Sequence, residues 1–140
     1  MLIDQIKKDN IQAMKDRDTT KRAILSVVIT KYNNLAIELK GKNQEATDAD
    51  MLAVIQKTVK ELNDEAANFV KINRHTEAAE IMQQLAYIHN YLPKQLDEEE
   101  IRAEINKLED KSISNIMKYF KTNYNGQVDM SLVSKIAKGL

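Results

Sequence analysis

The chain has no cysteine and no tryptophan, and only one proline and three glycines among its 140 residues. The lack of cysteine excludes disulfide bonds, thiolate metal sites and cysteine nucleophiles together. Aromatic residues make up 5%, and with so little glycine and proline the turn-rich composition of sandwiches and barrels is missing. Long apolar runs are missing too. The opening MLIDQIKKDN carries a charge at its fourth position and fits neither a signal peptide nor a membrane span, so a cytoplasmic protein is expected.

What remains is dominated by helix formers. A 43% hydrophobic content suffices for the core of one domain or of two small subdomains. Net charge is zero, 21 basic against 21 acidic, but its distribution is uneven: residues 1–44 carry +4, 45–110 carry −8 and 111–140 carry +4. Basic ends of this kind suit an acidic partner or a nucleic acid, or are simply solvated helix faces.

Apolar spacing predicts a helix from Leu2 to about Met14, with Leu2, Ile3, Ile6, Ala13 and Met14 on one face and Asn10 interrupting it. Asp18 or Thr19 is expected to cap a second helix, running to about Leu39 with a stripe of Ile24, Val27, Val28, Tyr32, Leu35 and Leu39. Gly41 is the expected left-handed terminator, and Thr47 or Asp48 the next start. Leu52, Ile55, Val59, Leu62, Ala66 and Phe69 then form a narrow seam, matched after INRHT by Ala78, Ile81, Leu85, Ile88 and Leu92. So short a link returns the chain alongside itself as an antiparallel hairpin. A dimeric coiled coil is the rival arrangement; a monomer is favoured, and the oligomeric state is not fixed by the sequence.

Pro93 lacks an N–H and disfavours helix at Leu92, so the fourth helix stops close to Tyr91. Four residues on, Asp97 and Glu100 have the spacing of a capping box, and Leu96 and Ile101 that of a hydrophobic staple. Glu98, Glu99 and Glu100 complement the positive end of the helix dipole. Three short helices follow, near 98–109, 113–123 and 130–138, with Ser112 and Asp129 as caps and the Asn-Gly pair of YNGQVD as a turn. The expected fold is all-α: an N-terminal helical subdomain (1–92), a proline corner (93–97) and a C-terminal three-helix subdomain (98–140).

No reactive constellation is visible. His75, read as a loop residue, and His89 are fourteen residues apart, outside any metal-binding pattern, and suit ordinary boundary positions. Adjacent residues of the Asp97–Glu100 run point in different directions on a helix, and capping already explains them. Ser112, Ser114, Thr19 and Thr20 have no adjacent base, and Gly41, Gly126 and Gly139 make no phosphate-cradling loop. No catalytic residue, cofactor or metal site is assigned. One binding surface is a candidate: Lys111, Lys118, Lys121, Lys135 and Lys138, with Tyr119 and Tyr124 interleaved, offer phosphate contacts and base stacking to RNA. Against it stands a plainly solvated helix face, and lysine without arginine suits shape-specific RNA recognition less well.

The blocks KDRDTTKRAILSVV, YLPKQLDEEEI, IMKYF and NGQVDMSLVSKI occur in an order and at separations that resemble the YqeY family, over nearly the whole chain. Members of that family share a helical module with the C-terminal tail of GatB, a subunit of the glutamine-dependent amidotransferase that corrects mischarged tRNA. The resemblance implies an all-α fold, with a C-terminal part like a tail that helps recognise tRNA. It implies no reaction of the chain's own, since the kinase-like and amidase chemistry lies in other domains and subunits. The expected partner is tRNA or a tRNA-linked protein, with a protein-interaction module of unknown pathway as the alternative. Leu62 and Gln84 stand where the family leads one to expect Arg and Glu, and Ser114 where it leads one to expect Gly.

Overall fold

A computed structural model of the chain describes residues 1–124 and 127–139. Among these the fold is all-α, with seven helices and no strand. The chain divides into two compact units, Met1–Tyr91 and Leu92–Leu140.

The first unit holds α1 (Leu2–Lys15), α2 (Thr19–Lys40), α3 (Asp48–Lys71) and α4 (His75–His89). Ile3, Ile6 and Ala13 of α1 and Ile24, Val28 and Tyr32 of α2 are buried as expected. Met14 and Val27 are instead about half exposed, and Leu25 is fully buried. The single-stripe reading assumes one neighbour, whereas α2 packs against α1, α3 and α4, so its buried sector is wider and turned toward Leu25. Asn10, the polar break in the α1 stripe, donates from Nδ2 to Ser26 Oγ at 3.3 Å.

All three links of this unit close in one way. The N–H of Asp18, Gln44 and Arg74 reaches back five residues to the carbonyl of Ala13, Leu39 and Phe69, at 2.9, 2.9 and 2.8 Å. The preceding residue in each case bonds three residues back, which completes a Schellman turn. The left-handed position falls on Arg17 (φ 57°), Asn43 (φ 59°) and Asn73 (φ 59°). Gly41 is therefore not the left-handed terminator: at φ −63° it lies in the last right-handed turn, and Asn43, whose short polar side chain tolerates this backbone, takes the role. Helix starts follow the side chains. Asp18 Oδ1 accepts from Lys21 N at 3.1 Å, and Thr47 and Asp50 exchange bonds as a capping box.

α3 and α4 form the long hairpin through Ile55, Leu62 and Ala66 on one side and Ala78, Ile81, Leu85 and Ile88 on the other. His75 is the first residue of α4 rather than a loop residue, because the Schellman turn needs only Ile72, Asn73 and Arg74. Met51 and Thr58 are buried beside the expected seam, and Thr58 is satisfied by Val54 O (2.8 Å) and Lys31 Nζ (3.3 Å). Burial falls along the hairpin. Met51, Ile55 and Ile88 are 0% exposed, against 9% for Leu62, 6% for Ala66 and 7% for Ile81. Polar contacts from α1 and α2 reach the hairpin near its open end, at Ala46, Asp48, Thr58, Glu61, Tyr87 and Tyr91. The outer half, around 62–85, is thus a two-helix arm that rests mainly on itself.

The second unit holds α5 (Glu98–Asn106), α6 (Ile113–Asn123) and α7 (Met130–Lys138). α4 has already ended at His89, so Leu92 is not the last member of its seam. Asp97 and Glu100 form the capping box, Glu100 N to Asp97 Oδ1 at 2.8 Å and Asp97 N to Glu100 Oε1 at 3.4 Å. Leu96 packs on the core and its N–H donates to Gln127 O at 2.8 Å, which ties the entry of α5 to the approach of α7. Ser112 and Asp129 cap α6 and α7. α5 ends at Asn106, short of residue 109, because Leu108 reaches the core from a turn closed by its bond to Ile105 O. The core is Ile101, Ile105, Ile116, Phe120, Val128, Val133, Ile136 and Ala137. The expected Asn-Gly turn at 125–126 lies outside the described residues.

Candidate nucleic-acid interface

All seven residues singled out for RNA contact fall in the second unit. The apolar spacing of α6 and α7 decides where their lysines go. Ile116 and Phe120 turn one face of α6 inward, so Lys118 and Lys121, three apart, stand exposed on the other. On α7, Val133, Ile136 and Ala137 face the core while Lys135 and Lys138 are exposed. None of these four lysines is in an ion pair with another described residue. Lys111 differs: its Nζ donates to Leu108 O at 2.7 Å, closing the turn before α6. The unit is electrically two-sided in sequence, with seven acidic and two basic residues from 97 to 110 but five basic and one acidic from 111 to 139.

The tyrosines are placed differently from the lysines. Tyr119 and Tyr124 are half-buried, and their rings pack with Phe120 in one cluster at centroid distances of 5.4 to 6.1 Å. Tyr119 OH donates to Glu104 Oε2 at 2.9 Å, and Lys107 Nζ lies 3.3 Å from the other carboxylate oxygen. The hydrogen bond to Glu104, helped by burial, pushes the Tyr119 phenol up to about 12. Tyr124 is raised by the same carboxylate, and the bond from Tyr119 holds Glu104 below its ordinary value. Glu104 was not singled out in the sequence. Its partners come from the next helix, fifteen to twenty residues on, and no local spacing announces such a pairing.

Elsewhere the chemistry is sparse. A groove of about 450 Å³ between α2 and α3 is lined by Lys31, Leu35, Val54 and Glu61 among others. Two of its charges are joined across it, Lys31 Nζ to Glu61 Oε2 at 2.8 Å, and this bond holds Glu61 below the ordinary carboxylate value. Among the described residues no three His, Asp or Glu side chains are grouped to hold a metal ion, and no helix is long and apolar enough to cross a membrane. His75 and His89 stand exposed at the two ends of α4. Of the three departures from the family pattern, Leu62 is buried in the hairpin seam, Gln84 is half-buried on α4 and Ser114 is exposed in the first turn of α6.

No curated protein matches the chain. A family model described as Yqey-like protein matches residues 3–140, nearly its whole length and both of its compact units. With the seven-helix fold and the ordered sequence blocks, this places the chain in the YqeY family.

Proposed function

We propose that this YqeY-family chain is a non-catalytic helical module that binds tRNA, or a partner carrying tRNA, through the outward faces of α6 and α7. The observation that supports the reading is the set of exposed lysines that form no ion pair with another described residue, Lys118, Lys121, Lys135 and Lys138, on helices whose other faces build a buried core. Lysine ammonium groups held by a packed scaffold contact phosphates without needing a particular base. In this reading Tyr119 and Tyr124 keep α6 seated on α5 through Glu104, and phosphate contact supplies most of the affinity. A link to the glutamine-dependent amidotransferase rests on the family resemblance of this unit alone.

The test is a tRNA mobility shift over a range of salt, with the four lysines replaced together by Gln. The wild-type chain is expected to bind with an affinity that falls steeply with salt. The quadruple variant should lose most of that affinity and flatten the log–log salt slope by about 3, close to 0.7–0.9 for each phosphate contact removed. Undetectable binding by the wild-type chain, or a slope unchanged by the substitutions, refutes the proposal.

A further inference from the structure

The lysine face of the second unit lacks the groups that read an unpaired base. From Leu92 to Leu140 the sequence has three aromatic residues, Tyr119, Phe120 and Tyr124, a single arginine, Arg102, and no histidine. A splayed base stacks on a free aromatic face or on a guanidinium plane. Phe120 is fully buried. The Tyr119 ring meets Phe120 edge-on at 5.4 Å and Tyr124 at 6.1 Å, and Tyr124 lies 5.7 Å from Phe120, so each ring packs on the other two. Arg102 is held within α5 by Glu98, with Nη2 and Nε donating to Oε1 at 2.8 and 3.2 Å.

Tyr119 is also turned away from the lysines. At 3.6 residues per turn it lies about 100° round α6 from Lys118 and about 160° from Lys121. It faces α5, where its OH donates to Glu104 Oε2 at 2.9 Å. A phosphodiester that followed a base onto this ring would come beside the Glu104 carboxylate, and like charges repel. The first turn of α5 adds Glu98, Glu99 and Glu100 to the same helix.

What the face offers is four ammonium groups in two pairs, Lys118 with Lys121 and Lys135 with Lys138, on helices that pack against each other. Packed helices lie about 8–10 Å apart, and residues three apart on a helix are neighbours. An ammonium group is a point charge without the fork that fits a base edge, so such a set gains affinity from the density of phosphates. Each contact releases about 0.9 condensed ions from a B-form duplex and about 0.7 from a single strand. We propose that α6 and α7 dock on the sugar-phosphate backbone of a base-paired RNA stem, whatever its sequence, and not on an unpaired loop. The inference rests on the RNA-binding reading above and adds which part of the RNA is held. With α5 acidic, the unit lies against one side of a duplex and does not close round a strand.

The test titrates the full-length chain, at one salt concentration, with tRNA, with a short RNA duplex, and with an unstructured RNA single strand carrying the same number of phosphates as the duplex. The duplex is expected to bind at least tenfold more tightly than the single strand, and two duplexes of unrelated sequence to bind within threefold of each other. A tRNA with scrambled loops and intact stems should bind as the native one does. Replacing the four lysines together by Gln should weaken duplex and tRNA binding by the same factor. Arg102→Gln, on the α5 side, should change either by less than twofold. A tRNA complex that needs the lysines but is lost when the loops are scrambled overturns the stem assignment and leaves the RNA-binding reading standing. So does a single strand bound as tightly as the duplex. A chain that binds none of these RNAs overturns both.

Discussion

The two units start their helices alike but end them differently. In the first, the links are as short as three residues, and the work is done at helix C-termini by backbone turns with a left-handed residue at Arg17, Asn43 and Asn73. In the second, no non-glycine residue among those described is left-handed, and the side chains of Asp97, Ser112 and Asp129 satisfy the first N–H groups of α5, α6 and α7, as Asp18 and Thr47 do for α2 and α3 in the first. A backbone turn ties two helices closely but fixes the conformation of one residue, whatever its side chain. A side-chain cap leaves the link free and depends on one residue type. The first unit can therefore build a long hairpin, while the second wraps three short helices around Phe120.

The largest expected effect separates the two cores. Phe120 is fully buried, and its ring contacts both Tyr119 and Tyr124. Phe120→Ala should cost about 3–5 kcal/mol, enough to unfold a core of eight buried residues. Amide exchange should then show residues 92–140 unprotected while those of 1–91 keep their protection. Loss of protection in both units together would mean that the comparison has been drawn too sharply.

A smaller effect, of opposite sign, tests the turns. Arginine in the left-handed region is strained, so Arg17→Gly should stabilise the first unit by about 0.5–1 kcal/mol, read as a raised melting temperature. Asn43→Gly should do much less, since asparagine already tolerates that backbone. Equal effects at the two positions would show that strain at Arg17 is not what separates them.

The smallest is the pH dependence that the Tyr119–Glu104 pair gives the second unit. The Tyr119 phenol, pushed up to about 12 by Glu104, contributes stability that is complete below its unfolded value near 10 and lost as pH rises through about 12. Glu104 is held low, so its share is present above the unfolded value and lost as pH falls. Melting followed from pH 3 to 12 should show both edges, and Glu104→Gln should flatten them. The first unit has its own phenols bonded to carboxylates, Tyr87 to Asp18 and Tyr91 to Asp9, and Glu104→Gln should leave its response unchanged.

How legible each part was follows from the range of the interactions involved. Asp97, Glu100, Ser112 and Asp129 act within three residues of their own position, and the caps they form stand where the sequence places them. The helix types follow from the period of the apolar residues, and α6 and α7 match the expected bounds. Gly41 misled because composition indicates which residue could turn left, whereas the length of the last helical turn decides which one must. Leu25, Met51 and Thr58 were missed because a helix with several neighbours buries more than one stripe. In the candidate interface the lysines are found where helical spacing puts them. The pairing of Tyr119 and Tyr124 with Glu104 needed the packing of α6 on α5, which no short window of sequence contains.

The bond between Tyr91 and Asp9 joins residues 82 positions apart, the last residue of the first unit to its first helix. Its phenol is held above the ordinary range, chiefly by burial and then by that carboxylate. On the ribosome, α1 emerges long before the residue that fastens it. A nascent chain that has reached only α3 has neither Tyr87 nor Tyr91 to offer and leaves the flank of α2 that meets α4 uncovered, so this unit must wait for its final residue before it can close.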